Sequence, residues 1–343
     1  MKVKNKFLAG IAALCVTAST MAVASAANTT DTSSNDTAQA DAYRSDAYCD
    51  ALAELKQAEQ EFVKQKAITN AESEIANTAD TSGTPTDYYA MENYYAPLIG
   101  EYKSSAYWES LEALKLADMN FKNVCIDLGV KSNYIGLLDM EDRSSSSDWT
   151  PGYPSSMKMP IYQVPQERDY WCGYAAIKSL FVFEGVNMTQ TEIARTVYST
   201  EESCPWYWVD GTTISQYPVP KLLGEEIGCS YVPFPVNSAG ARTLTESDIK
   251  SKVLYTTNKG HGLLACGESY RYYDKDGSKL PGYPNRSIVH WIVINGYESN
   301  GEEVWIADPA KSNVISWSGN ISAYYKISAK RLASFATMRG IVW

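Results

Sequence analysis

Two stretches in the N-terminal half of the chain share one helical pattern of apolar positions. The segment DAYCDALAELKQAEQEF (46–62) aligns, at an offset of 59 residues, with SAYWESLEALKLADMNF (105–121). In each copy, large apolar residues recur at spacings of four, three and seven, which places them on one face of a helix. Two such helices bury their apolar faces most simply as an antiparallel hairpin. We therefore predict a helical hairpin region over residues 46–130.

The antiparallel arrangement also makes a prediction about two cysteines. Cys49 lies near the start of the first helix and Cys125 near the end of the second, so the hairpin brings them to the same end. We expect a disulfide between them. The role of the hairpin stays open between a spacer or docking module for a cell-wall or protein partner and an inhibitory pro-region.

The C-terminal half alternates between helical and strand patterns. Pro165 and the polar run after it disfavour a helix before Trp171, whereas the apolar residues over 175–181 predict a buried helix that begins at or beside Cys172. A second helix is predicted over 212–227.

Two neighbouring apolar runs predict a hairpin of strands. The run SIVHWIVINGYE (287–298) is apolar almost throughout, as in a strand buried on both faces, and His290 interrupts it. A shorter strand in EVWIADPA (303–310) ends at Asp308, and the polar residues between the two runs form the turn. Asp308 should therefore lie level with the region of His290.

These positions supply candidate chemistry. The N-terminus of a helix stabilises a thiolate, which favours Cys172 as a nucleophile. Gln166, six residues earlier, can fold back and, with a backbone N–H, stabilise an oxyanion. Asp308 can accept the imidazole N–H of His290 and fix its tautomer. Taken one at a time, each residue has a structural alternative: a buried or disulfide-bonded cysteine, a core histidine, a turn-capping aspartate.

The ends and linkers have their own composition. Residues 1–26 have a lysine-rich start, an apolar stretch and a small-residue cleavage site ending at Ala26, which is typical of a secretory signal peptide. Residues 27–45 are predicted to be a flexible leader and 131–158 a linker rich in serine, proline and glycine. No later run of 18 apolar residues occurs, so we expect a secreted protein with no membrane span.

Charge and composition exclude several function classes. The 343 residues carry 40 acidic and 30 basic side chains, a net charge of −10, which argues against nucleic-acid binding. Only two histidines occur, so we predict no metal site and no cofactor; His261, in a loop entering a strand, is expected at the surface. Outside the signal peptide six cysteines remain. With Cys172 reserved for catalysis, Cys204–Cys229 is the favoured second disulfide, which leaves Cys266 free.

Residues 159–343 resemble the peptidase C39-like family of papain-like cysteine peptidases. The resemblance lies in Gln166 six residues before Cys-Gly-x-Ala, in His290 followed by apolar residues and Gly-Tyr, and in Asp308-Pro. It implies an α+β, papain-like fold, in which the catalytic helix packs on an antiparallel sheet, with the predicted helical hairpin before it. It also implies catalytic roles for Cys172, His290, Asp308 and Gln166. Members that remove bacteriocin leaders are usually fused to a transporter; here a signal peptide indicates a secreted peptidase.

The sequence thus predicts an exported cysteine peptidase or amide hydrolase that acts on a peptide or protein substrate. Two alternatives use the same scaffold. One is a catalytically silent binding or adhesion protein, and the other is a thiol acyltransferase that uses the same residues but transfers the acyl group to an amine.

Overall fold

The computed structural model describes most of the chain from residue 41 onward. The described ranges are 41–77, 103–131, 134, 136–138, 152–198, 203–210, 213–236, 244–269 and 277–343. The predicted signal peptide (1–26), most of the leader (27–45) and much of the linker (131–158) lie outside them. Residues Asp41–Trp343 form one compact unit. None of the described helices combines the length and apolar character that crossing a bilayer requires.

The N-terminal helices form the predicted hairpin. They are α1 (Asp46–Asn77) and α2 (Ser105–Asp127). Near one end of the pair Thr69 hydrogen-bonds Ser104 at 2.8 Å, and near the other the ring of Tyr48 lies 5.2 Å from that of Phe121. Residues late in one helix therefore contact residues early in the other, which makes the pair antiparallel. Ser104 also caps α2, because its hydroxyl accepts a backbone N–H of the first turn.

The C-terminal part is built on an antiparallel sheet. Its described strands are β1 (Met157–Lys158), β2 (Trp208–Asp210), β3 (Thr213–Gln216), β4 (Pro233–Phe234), β5 (Leu263–Ser269), β6 (Ile288–Glu298), β7 (Glu303–Ala307), β8 (Tyr324–Ser328) and β9 (Gly340–Val342). Seven of them form one sheet in the order β4-β9-β5-β6-β7-β8, with β1 paired to β6. β2 and β3 pair separately. The predicted strand around His290 is β6, which has a partner on both edges and is buried along most of its length.

Five helices surround this sheet in the described residues. They are α3 (Cys172–Glu184), α4 (Gln190–Tyr198), α5 (Pro218–Ile227), α6 (Glu246–Asn258) and α7 (Ala329–Ala336). The predicted helix at Cys172 is α3; it packs on β6 and ends at Gly185 in the left-handed conformation. The predicted helix over 212–227 begins too early. Residues Thr213–Gln216 form β3 instead, and Pro218 opens α5, as a proline at a first helical position favours.

The hairpin packs against the C-terminal part through buried polar contacts. The ammonium group of Lys115 donates to the carbonyl of Ser230 at 2.8 Å. A second group of contacts centres on the buried Asp118, whose carboxylate accepts the Tyr255 hydroxyl, pairs with Lys122 at 2.9 Å and lies 4.0 Å from the Lys259 ammonium. We call these four residues, Asp118, Lys122, Tyr255 and Lys259, the hairpin interface.

Both predicted disulfides are wrong in this structure, because all six described cysteines are free thiols. Cys49 is exposed on the first turn of α1, whereas Cys125 is buried, so the two thiols lie in different environments at the same end of the hairpin. Cys204 packs against Gly173, whereas Cys229 follows the end of α5. Cys266 is free and buried in β5, as expected.

The predicted fold class is confirmed. The protein is α+β, with the helix that begins at Cys172 packed on an antiparallel sheet and an α-helical hairpin preceding both.

Candidate active site

A tight turn leads into the helix that begins with Cys172. The backbone N–H of Trp171 donates to the carbonyl of Arg168 at 3.3 Å, and the Gln166 side-chain amide donates to the same carbonyl at 2.9 Å. One turn therefore connects the glutamine to the start of α3. Because Cys172 is the first residue of α3, its side chain lies where backbone N–H groups are unpaired and the helix dipole is positive.

The surroundings of Cys172 stabilise its thiolate. Burial by itself would raise the pKa of this thiol, but the charge of His290 and its hydrogen bond to the sulfur outweigh burial, and so the pKa is lowered. The backbone N–H groups of Trp291 and Gly173 also donate to the sulfur and lower the pKa further. These contacts favour the thiolate of Cys172 over the thiol.

His290 bridges the thiol and a carboxylate. Its Nε2 lies 2.9 Å from Oδ1 of Asp308, which leaves Nδ1 for the sulfur of Cys172. Burial opposes a charge on the ring, but the negative charges of Cys172 and Asp308 outweigh burial and raise the pKa of His290 to about 10. The ring therefore carries a proton near neutral pH. We call Cys172, His290 and Asp308 the active-site centre.

Asp308 is fully buried and held by four donors. Besides His290, the hydroxyls of Tyr283 and Tyr325 donate to Oδ2 at 2.9 and 2.7 Å, and the Ala310 N–H donates to Oδ1 at 2.9 Å. Burial would raise the pKa of this carboxyl, but the charge of His290 and the hydrogen bonds from His290, Tyr325 and Ala310 lower it. Burial and the charge of Asp308 raise the pKa of both tyrosines well above normal, so they remain hydroxyl donors.

The two tyrosines were not found by sequence reasoning. They are two of 25 tyrosines, and neither stands in a motif that separates it from the rest. Tyr325 reaches Asp308 because β8 pairs with β7 in a register that sets it opposite Ile306. That register is a tertiary property, so the sequence carries no local signal for this contact.

Gln166 lines the same groove as Cys172 and is almost fully buried. Its backbone N–H donates to the Pro309 carbonyl at 3.1 Å, and its own carbonyl accepts the Ser312 hydroxyl at 2.6 Å. The glutamine is therefore tied to the loop that follows Asp308. One side-chain N–H is used on Arg168, and the second has no partner among the described residues.

The groove around Cys172 has a volume of about 850 Å³, large enough for several residues of a peptide. Much of its wall is aromatic: Tyr170, Trp206, Tyr207, Trp291 and Trp317. Besides His290, its charged lining residues are Asp169, Arg286 and Arg339.

Two further thiols, Cys204 and Cys266, line this groove. Burial and the negative charge of Cys172 raise the pKa of each well above its normal value, so both stay protonated. Cys204 packs so tightly on Gly173 that a side chain there would lie 2.2 Å from its Cβ. Of the three thiols in the groove, Cys172 alone has a lowered pKa.

The second histidine does not lie at the surface as expected. His261 is buried, and its Nδ1 lies 2.9 Å from Glu184 at the end of α3. The sequence predicted a loop at His261, but it carried no signal that this loop packs against the C-terminal end of α3. In the described part of the chain, no three His, Cys, Asp or Glu side chains gather as metal ligands would.

The model of the Peptidase_C39 like family matches residues 158–331, just over half of the 343 residues. Among solved structures, the chain is similar to xylellain, a cysteine protease from Xylella fastidiosa, at 12% sequence identity and a TM-score of 0.31. That match covers 56% of this chain and 86% of the xylellain chain. No curated protein matches the chain.

Proposed function

This chain belongs to the Peptidase_C39 like family, and from this we propose that it is an active cysteine peptidase or amide hydrolase. The substrate is a peptide or protein. Cys172 is the nucleophile, His290 the acid and base, Asp308 the residue that orients the ring, and Gln166 an oxyanion donor.

The observation that carries this proposal is the bridging position of His290. Its ring contacts the thiol of Cys172 on one side and Asp308 on the other, and the pKa values of thiol and ring are shifted toward the ion pair. A nucleophile within reach of a base, itself oriented by a third group, is the arrangement that thiol catalysis needs.

Each side chain has a defined task in acylation. The Cys172 thiolate attacks the substrate carbonyl, and a C–S bond forms as the carbonyl electrons move to oxygen. The second N–H of Gln166 and the backbone N–H at Cys172 stabilise that oxyanion. His290 then gives its proton to the departing amine, which leaves an acyl-thioester and a neutral imidazole held by Asp308.

Deacylation uses the same groups in reverse. Neutral His290 takes a proton from water, the resulting hydroxide attacks the thioester, and the Cys172 thiolate leaves. The raised pKa values of Cys204 and Cys266 support a role for Cys172 alone, since neither neighbour supplies a thiolate at neutral pH.

Thiol labelling tests the nucleophile. Under mild reduction, we expect iodoacetamide to modify Cys172 before Cys204 and Cys266, at pH values below the ordinary thiol range. The two neighbours are matched controls because they line the same groove. Equal or lower reactivity of Cys172 would contradict a stabilised thiolate.

Cleavage tests the activity. A mixture of tryptic peptides should be cut by the wild-type chain and left intact by Cys172→Ala, with an expected loss of at least about 10⁴-fold. If neither protein cuts any peptide, the chain is a silent binding protein. Product masses that include an added amine nucleophile would instead identify acyl transfer.

We also propose that the protein is exported and that cleavage occurs near Ala26. The support is the composition of residues 1–26 in the sequence. The mass of the N-terminal peptide recovered from culture medium tests this: it should begin at residue 27, and recovery of the full-length chain from the cell interior alone would contradict export.

A further inference from the structure

Tyr170, two residues before Cys172, has a backbone conformation that is unusual for a large side chain. Its φ is +65°, in the left-handed region that favours glycine. The other described non-glycine residues with positive φ are Ser299 and Asn300, small polar residues in the turn between β6 and β7. An aromatic residue is crowded in this conformation, so its presence needs a physical reason.

The turn itself does not supply that reason. Tyr170 is the third residue of the β-turn closed by the Trp171-to-Arg168 hydrogen bond, and glycine would adopt the same φ without steric cost. The turn positions Gln166 and leads into Cys172, which accounts for its shape. It does not account for a tyrosine at this position.

Packing does not supply the reason either. Tyr170 is 76% exposed, which is the largest exposed fraction of any large hydrophobic residue in the described part of the chain. Within the described part of the chain its ring has no aromatic neighbour and its hydroxyl no hydrogen-bond partner. The folded protein therefore gains little from this ring, although it borders the groove that contains Cys172 and His290.

We propose that Tyr170 is a specificity-determining residue, whose ring packs on an aromatic or large apolar side chain of the peptide bound beside Cys172. This inference rests on the proposed peptidase function. Because Tyr170 lies only two residues before Cys172, its ring is within reach of substrate residues close to the scissile bond. The half-buried Tyr207 and Trp317 supply further apolar wall for the same side chain.

Peptide binding tests the inference separately from cleavage. The Cys172→Ala protein is immobilised and incubated with the tryptic peptides of serum albumin, and retained peptides are quantified by mass spectrometry. We expect enrichment of peptides with Phe, Tyr, Trp or Leu. Adding Tyr170→Gly should reduce that enrichment by about 3- to 10-fold, whereas Tyr170→Phe should preserve it.

Tyr162 provides the matched control. It is 64% exposed and lies outside the groove, so Tyr162→Gly should leave the enrichment unchanged. We also expect Tyr170→Gly to melt at the same temperature as its parent or higher, because glycine relieves the backbone crowding.

Three outcomes would overturn the inference: no apolar enrichment in the parent protein, the same enrichment in Tyr170→Gly, or a clearly lower melting temperature of Tyr170→Gly, which would assign the ring to folding. A protein that binds such peptides through Tyr170 but never cleaves them leaves this inference standing and contradicts the proposed function. The two failures are therefore distinguishable.

Discussion

The active-site centre and the hairpin interface each contain a buried aspartate, and the two differ in their cationic partners. Asp308 and Asp118 are exposed by 0% and 1%, and both accept tyrosine hydroxyls. Asp118 pairs with ammonium groups, Lys122 at 2.9 Å and Lys259 at 4.0 Å. Asp308 pairs instead with the imidazole of His290 at 2.9 Å.

This difference separates a structural role from a chemical one. An ammonium group holds its proton across the physiological pH range, so the contacts of Asp118 form a fixed link between α2 and α6. An imidazole can release and regain its proton during a reaction, and an aspartate beside it controls how readily that happens. Both aspartates are buried to the same extent, so the type of cation that each one pairs with decides whether its role is structural or chemical.

The largest expected effect is the loss of either carboxylate. Asp308→Ala should lower kcat/KM by about 10²- to 10⁴-fold, because His290 loses the group that orients and charges it. Asp118→Ala should lower the free energy of unfolding by about 3–5 kcal/mol, since it removes the buried carboxylate that pairs with Lys122 and accepts the buried Tyr255 hydroxyl, while kcat/KM per folded molecule stays within about twofold. Peptide-cleavage kinetics and denaturant unfolding measure both.

An exchange of these two effects would contradict a catalytic role for Asp308 and a structural role for Asp118. Asp308→Asn and Asp118→Asn keep the side-chain shape, so they serve as controls should either alanine variant fail to fold. A large drop in kcat/KM for Asp118→Asn would mean that the hairpin interface takes part in catalysis.

The two aspartates should also differ in their effect on the pH dependence of activity. The thiolate–imidazolium pair exists above the lowered pKa of Cys172 and below the pKa of His290, about 10, so activity should fall off on both sides. Asp308→Asn removes a negative charge that favours the protonated ring, so the pKa of His290 falls and the alkaline limb of kcat/KM moves to lower pH. Asp118→Asn should leave both limbs in place; an unmoved limb in Asp308→Asn would contradict the proposed coupling.

A smaller effect is expected from single tyrosine hydroxyls. Tyr325→Phe removes one hydrogen bond from Asp308 and should lower kcat/KM about tenfold. Its counterpart, Tyr255→Phe, removes a hydroxyl from Asp118 and should lower the free energy of unfolding by about 1–3 kcal/mol with unchanged kinetics. Wild-type kinetics in Tyr325→Phe would show that the other donors suffice to hold Asp308.

The smallest effect concerns Lys115. Its ammonium lies 4.6 Å from the Trp343 ring and donates to the Ser230 carbonyl. Lys115→Met keeps the length of the side chain and should lower the free energy of unfolding by about 1–2 kcal/mol, with kcat/KM and its pH profile unchanged. Chemical denaturation measures the first quantity and cleavage assays the second; a shifted pH profile would argue against a purely structural role for Lys115.

Elements with a strong local signal could be predicted from the sequence. The repeated apolar spacing identified α1 and α2, and the apolar run after Trp171 identified α3 with Cys172 at its start. The strand hairpin of β6 and β7 followed from two apolar runs and a polar turn, and the structure brings His290 and Asp308 into contact across it. Their catalytic roles stay a prediction.

Elements that depend on distant contacts could not be predicted in this way. The predictions were wrong for the start of α5, the location of His261 and the pairing of the cysteines. Each of these features depends on contacts with residues distant in sequence, which form only in the folded chain. The tyrosines on Asp308 were missed for the same reason, since β8 and the loop that contains Tyr283 are brought to it only by the fold.

Local patterns in the sequence were enough to identify the helical hairpin, the helix that begins at Cys172, and the two strands that carry His290 and end at Asp308. Contacts that form only in the folded chain brought Cys204 and Cys266 into the groove of Cys172, the hydroxyls of Tyr283 and Tyr325 to Asp308, and a second buried aspartate, Asp118, to a lysine. The physical reason is that contacts and pKa values are set by burial and by groups within a few ångströms, and the fold brings together residues that are distant along the chain, such as Cys172 and His290, which are 118 positions apart.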